Sequence, residues 1–188
     1  MEKAKKRMKI LMILMVFLFT NSAFALVTNY SNTDETIIIN WPDTDGRWIK
    51  LFEEEDDHYW VSQFALYNKD DKHLETVYLK IRKSMQLSNL NEYAKKLFQI
   101  TKKNDSRAKF QLNKKKLNIK YDNCLYMISA RDRDGKKESQ VCVLIQGKKA
   151  IYEIQRAIKK PRLSKKDLVK ISRFFETIKI NPSSKEKQ

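Results

Sequence analysis

The chain has 188 residues, with 39 Lys and Arg against 23 Asp and Glu, so its net charge of +16 favours anionic partners. Its three glycines, Gly46, Gly135 and Gly147, lie far apart. Loops that cradle phosphate need several glycines close together, which excludes nucleotide-loop chemistry.

Residues 1–25 read as a Sec-type secretory signal. Lys3, Lys5, Lys6, Arg7 and Lys9 form the basic region, Ile10–Phe19 is unbroken hydrocarbon, and Ala23-Phe24-Ala25 is a cleavage site of small residues. The ten-residue apolar run is short of the roughly 20 residues that span a bilayer. Cleavage after Ala25 is therefore expected, with a retained N-terminal anchor as the alternative. No cysteine follows the apolar run to carry a lipid, and no second stretch approaches spanning length. The expected product is soluble, begins at Leu26, and crosses the inner membrane to a periplasmic or secreted address. Losing five of the basic residues and Glu2 lowers the net charge from +16 to +12. The remaining length suits one monomeric domain with a core of its own.

Residues 26–35 read as a polar, flexible lead-in to a single domain over 36–181. Thr36–Ile39 is a short β-branched strand, Trp41–Gly46 a turn, and Trp48–Phe52 a second extended piece. The acidic run Glu53–Asp57 reads as a solvated connector. Tyr59–Tyr67 and Leu74–Arg82 are strand-like, separated by a turn at Asn68–Asp71. A helix follows, capped at Ser88 or Asn89 with Glu92 in capping-box position, and Leu90, Ala94, Leu97 and Thr101 share one of its faces. Residues 104–123 suggest an irregular edge strand and turn. Cys124–Ala130, Gln140–Gln146 and Ala150–Ile158 form a meander. In the closing helix Ser164 and Asp167 complete a capping box and Leu163 with Leu168 a hydrophobic staple; Leu168, Ile171, Phe174, Phe175 and Ile178 form the buried stripe. Residues 182–188 form a polar tail. Strands, helix, antiparallel meander and helix together predict an α+β class, an antiparallel sheet flanked by helices.

Cys124 and Cys142, in a chain bound for an oxidising compartment, suggest a disulfide. A hairpin turning around Arg133 places them directly opposite on one face. A two-residue Asp134-Gly135 turn points them to opposite faces and leaves two buried thiols.

The order of elements and the ending Leu163-Ser-Lys-Lys-Asp-Leu-Val-Lys-Ile-Ser-Arg-Phe-Phe-Glu-Thr-Ile-Lys-Ile180 resemble the Mog1/PsbP-like α/β/α sandwich family. The likeness also takes in 74–103 and 124–158, so it spans most of the mature chain at the level of pattern. It implies a binding or assembly module. The family has no shared catalytic set, so no functional residue carries over.

The residues suggest little chemistry. His58 and His73 are the only histidines; His58 neighbours Asp56 and Asp57, but no partner lies at ligand spacing. Asp43–Gly46 and Asp132–Gly135 mimic calcium loops, yet aligning each glycine with the sixth loop position leaves non-ligands at the first and twelfth. Both read as turns, so no metal or cofactor is expected. Ser62, Ser84, Ser106 and Ser129 lack a nucleophile elbow. The remaining clue is basic: Lys166, Lys170 and Arg173 stack on one face of the last helix, Lys159, Lys160 and Arg162 lead into it, and Lys114–Lys116 suggest a neighbouring edge. No aromatic residues interleave for base stacking, which disfavours nucleic acid against an anionic lipid or protein surface. The expectation is a secreted, non-catalytic binding or accessory protein of unidentified partner. The alternatives are an anionic-phospholipid binder working through the basic helix face and a hydrolase with a dispersed site.

Overall fold

A computed structural model of the chain describes residues 27–31, 35–41, 46–114, 116–132 and 134–182. The expected signal over 1–25, the turn at 42–45 and the tail from 183 lie outside the described residues. Ten strands and two helices are found among those described: β1 (Val27–Ser31), β2 (Glu35–Asn40), β3 (Arg47–Glu55), β4 (Tyr59–Tyr67), β5 (His73–Arg82), α1 (Leu90–Asn104), β6 (Lys109–Leu112), β7 (Asn123–Arg131), β8 (Lys137–Gln146), β9 (Ile151–Ile158), α2 (Lys165–Glu176) and β10 (Lys179–Pro182). The chain is therefore α+β.

A seven-stranded antiparallel sheet runs in the order β3-β4-β5-β9-β8-β7-β6. After β5 the chain crosses through α1 to the far edge and returns strand by strand until β9 pairs with β5. This topology explains why β8 is apolar on consecutive residues rather than alternate ones. A central strand covered on both faces has no wet side. Cys124, Tyr126, Ile128, Cys142 and Leu144 pack with Leu90, Ala94 and Phe98 of α1 on one face. Leu125, Val143, Ile145, Tyr152 and Ile154 face the other way, joining Ile171, Phe174 and Phe175 of α2 together with Ile37 and Ile39.

Both helix starts follow local chemistry. The Asn89 side chain accepts from the Asn91 and Glu92 N–H groups. Ser164 and Asp167 exchange both bonds of a capping box. Along α1 the buried residues are Leu90, Ala94 and Phe98, spaced by four, so the stripe runs through Phe98 rather than Leu97.

Three segments differ from the sequence expectation for one shared reason. β1 lies inside the expected flexible lead-in, and β10 extends into the expected tail. Both are short and polar, and they are strands because β2, in the order β1-β2-β10, pairs along both of its edges. The domain thus begins by Val27 and reaches Pro182. Likewise Glu53–Glu55 is no connector: it continues β3 past a bulge at Lys50/Phe52, paired with Trp60–Ser62.

The small sheet is tied to the large one by a buried carboxylate. Glu35, fully buried, accepts from the Lys148 N–H at 2.8 Å and the Tyr152 hydroxyl at 3.2 Å. Gly147 makes this approach possible, since a Cβ there would collide with the Glu35 carboxylate and the Tyr152 ring.

Candidate functional site

At one end of the large sheet, β6, the distal halves of β7 and β8, the Pro161–Leu163 loop and the first turns of α2 enclose an open groove of about 1000 Å³. Strand periodicity builds its floor. Lys109 and Gln111 stand opposite Ser129 and Met127, while Arg131 and Ser129 stand opposite Lys137 and Ser139. Side chains two apart share a face, so these residues all point toward the α2 side of the sheet. Leu163 and Leu168 form the apolar wall, held by the capping box beside them.

The lining has one sign of charge in excess. Arg107, Lys109, Arg131, Lys137, Arg162 and Lys165 face only Asp105 and Glu138. Asp105 already accepts from the backbone N–H groups of Arg107 and Arg131, at 3.0 and 2.9 Å, and lies 3.9 Å from the Arg107 guanidinium. Glu138 accepts from the Gln140 amide at 2.6 Å. The Arg131 guanidinium donates to the Gly135 carbonyl at 3.4 Å, and Lys109, Lys137, Arg162 and Lys165 have neither a hydrogen-bond nor a carboxylate partner for their side chains among the described residues. The groove is thus an apolar-walled trough with four unpaired cations, and low-dielectric walls strengthen the attraction such cations exert.

Of the basic residues singled out in the sequence, the fold brings only Arg162 among the described ones into this trough. Lys159 reaches Asp132 at 3.9 Å and Lys160 reaches Asp167 at 3.0 Å, so both are spent on internal pairs. Lys166, Lys170 and Arg173 lie exposed along α2, outside the groove lining. The other groove cations come from β6, β7, β8, the turn after α1 and the first residue of α2. The sequence signal for them is weak: a cation and a hydrophilic residue alternate in Lys109-Phe-Gln111 and Lys137-Glu-Ser139, marking one polar face at a sheet end.

The expected Cys124–Cys142 bridge is not formed; both are free, buried thiols. Arg131 pairs with Lys137, so the hairpin turns about position 134, between the two registers considered. Cys124 then faces Leu144 and Cys142 faces Tyr126. The thiols share a face but sit diagonally, where side chains are separated by about 7–8 Å. A disulfide needs Cβ atoms within about 3.5–4.5 Å. Burial pushes the Cys124 thiol up to about 11 and Cys142 further still, which makes both poor nucleophiles at neutral pH.

The other sequence candidates resolve into local structure. Asp132 accepts from the Asp134 and Lys136 N–H groups, building the turn in which Gly135 takes a positive φ of 76°. Most of its would-be calcium-loop counterpart, Asp43–Gly46, lies outside the described residues. His58 is exposed in the β3–β4 turn. The His73 ring meets the Glu75 carbonyl and Thr76 hydroxyl at 2.9 and 2.8 Å and stacks on Tyr67. No group of three or more metal-ligating side chains is found among the described residues, and no described helix is long and apolar enough to cross a membrane.

Comparison with protein-family models gives no match, and comparison with curated proteins gives none either.

Proposed function

We propose that this chain is an exported, non-catalytic binding protein that holds an anionic part of a protein partner in the groove between β6 and α2. The observation that carries the reading is the set of four cations, Lys109, Lys137, Arg162 and Lys165, left without side-chain partners among the described residues around an apolar wall. Leaving them unpaired on one concave surface favours an outside partner of opposite charge. Ser139, a hydroxyl in this lining, donates to the Lys160 carbonyl at 2.8 Å, and no histidine or cysteine lines the groove, which fits binding better than hydrolysis. The N-terminal segment supports export, and a sheet with one helix packed on each face supports the Mog1/PsbP-like sandwich type.

A second reading rests on the exposed side of α2, where Lys166, Lys170 and Arg173 flank Val169, an apolar side chain 52% exposed. That stripe suits the headgroup layer of an anionic membrane.

One experiment separates the two. Protein captured from periplasmic and extracellular fractions by the wild-type chain is compared with that captured by Lys137→Glu/Arg162→Glu, alongside flotation with vesicles containing acidic phospholipid. Loss of capture in the groove variant, with flotation negligible, is expected. Flotation that depends on Lys166 and Lys170, with capture unaffected by the groove variant, would replace the groove reading with the membrane one.

A further inference from the structure

Resting on that groove reading, we propose that the occupant is an extended segment of a partner protein, alternating acidic and apolar side chains, which adds to the sheet as an eighth strand beside β6.

Among the described residues the sheet ends at β6, whose only neighbour is β7. The Asn113 N–H donates to the Leu125 carbonyl at 2.9 Å, which makes that residue pair a hydrogen-bonded one. Antiparallel ladders alternate residue by residue, so Gln111 and Lys109 also bond toward β7. Phe110 and Leu112 therefore direct their N–H and C=O groups away from the sheet, toward the open edge. An incoming strand finds these four backbone groups waiting, the usual basis of strand addition.

The side chains dictate the incoming sequence. Residues opposite Lys109 and Gln111 project onto the groove face beside Lys109, with Lys137, Arg162 and Lys165 further across the same trough, so long acidic side chains reaching inward fit there. Residues opposite Phe110 and Leu112 project onto the α1 face. There both side chains are half-buried, and Phe110 packs on Phe98 at 5.2 Å and Tyr126 at 5.6 Å, so apolar groups fit. A lysine on a short edge strand by itself serves to repel unwanted pairing. That role does not account for Arg162 and Lys165, which reach the same trough from a different element. The trough is also concave, which favours a single extended chain over a flat membrane.

The probe is an acetylated, amidated peptide of alternating Glu and Val, followed by fluorescence anisotropy and by amide exchange of the labelled full chain. Binding at low salt is expected, with new exchange protection at the Phe110 and Leu112 amides. N-methylating the peptide amides on one edge, and then on the other, should weaken binding about tenfold or more for one edge only. The Lys137→Glu/Arg162→Glu variant should weaken it at least as much, and added salt should weaken it further. No binding up to about 1 mM peptide would overturn the proposal. Binding that leaves Phe110 and Leu112 unprotected, or that neither N-methyl series weakens, would overturn strand addition while the groove reading stands. Capture of the natural partner undiminished by the charge reversal would overturn both. A preference for vesicles of acidic phospholipid over the peptide would also overturn it, in favour of a membrane.

Discussion

β3 closes the large sheet at one edge and β6 at the other, and the two strands treat their charge in opposite ways. β3 is nine residues long, bulged and acidic, and its carboxylates are used within the molecule. Glu53 pairs with Lys50 and accepts from the Trp60 indole at 2.9 Å; Glu55 accepts from Tyr30 at 2.8 Å and from Lys83 at 2.7 Å. β6 is four residues long and basic, and Lys109, Lys137, Arg162 and Lys165 have no such partners among the described residues. Charge of either sign at a sheet edge discourages accidental pairing, but only unpaired charge recruits a partner. On the proposed reading, one edge is finished by the fold and the other by binding.

The largest expected effect tests how firmly the β3 edge is closed. Trp60 is almost fully buried, stacks on Tyr30 with ring centres 4.7 Å apart, and anchors Glu53. Trp60→Ala should cost about 3–5 kcal/mol in urea unfolding, by lost burial and the cavity left behind. A cost below about 1 kcal/mol would mean that the β3 edge is not anchored as described.

Glu55→Ala removes the partner shared by Tyr30 and Lys83, and a loss of about 1 kcal/mol is expected from the two bonds, given their partial exposure. Thermal unfolding at moderate salt measures it. An unchanged midpoint would show that these bonds merely replace water.

Acid should separate the two edges further. Hydrogen bonds from Lys83 and Tyr30 hold the Glu55 carboxyl below its ordinary value, and Lys50 and Trp60 do the same for Glu53. Groups with lowered folded values contribute stability that is fully present above the unfolded value near 4.5 and is lost as pH falls below it. The Asp167 carboxyl, held down to about 2 by the Ser164 N–H and hydroxyl, loses its cap contribution between about 4 and about 2. Opening of the ladder, read as amide exchange corrected for its intrinsic slowing in acid, should therefore quicken in β3 before it does in β6–β7 as pH falls from 6 to 3. Equal quickening in both edges would remove the distinction.

The smallest effect is the most discriminating. Lys137→Glu/Arg162→Glu should change stability by no more than about 0.5 kcal/mol, because neither cation has a side-chain partner to lose among the described residues. The same double substitution should abolish capture. A large loss of stability would instead mark these residues as structural.

Much of the molecule was legible along the chain. Both helix caps, the alternation of β5 and the apolar runs of β7 and β8 are local signals, carried by residues within a few positions of one another. β1 and β10 were not legible, because Thr28, Asn29 and Asn181 carry no strand signature and the pairing partner that makes them strands is β2. The acidic run at Glu53–Glu55 misled for the same reason: composition marks it as solvated, which it is, while the ladder to β4 marks it as strand. Of the candidate site, Arg162 was visible and the remaining groove cations were not, since they are separated by up to about sixty positions.

Sequence by itself determined the class of fold, the caps, and the sign of the charge, all of which depend on residue type and short-range spacing. Tertiary structure alone decided three things. A hairpin turning about position 134 set the thiols diagonally and left them free. Pairing along both edges of β2 drew β1 and β10 into the domain. The return of β6–β8 beside α2 gathered scattered lysines and arginines into one trough. Each depends on register or on contact between distant segments, and a shift of one residue in a strand reverses which face every side chain takes.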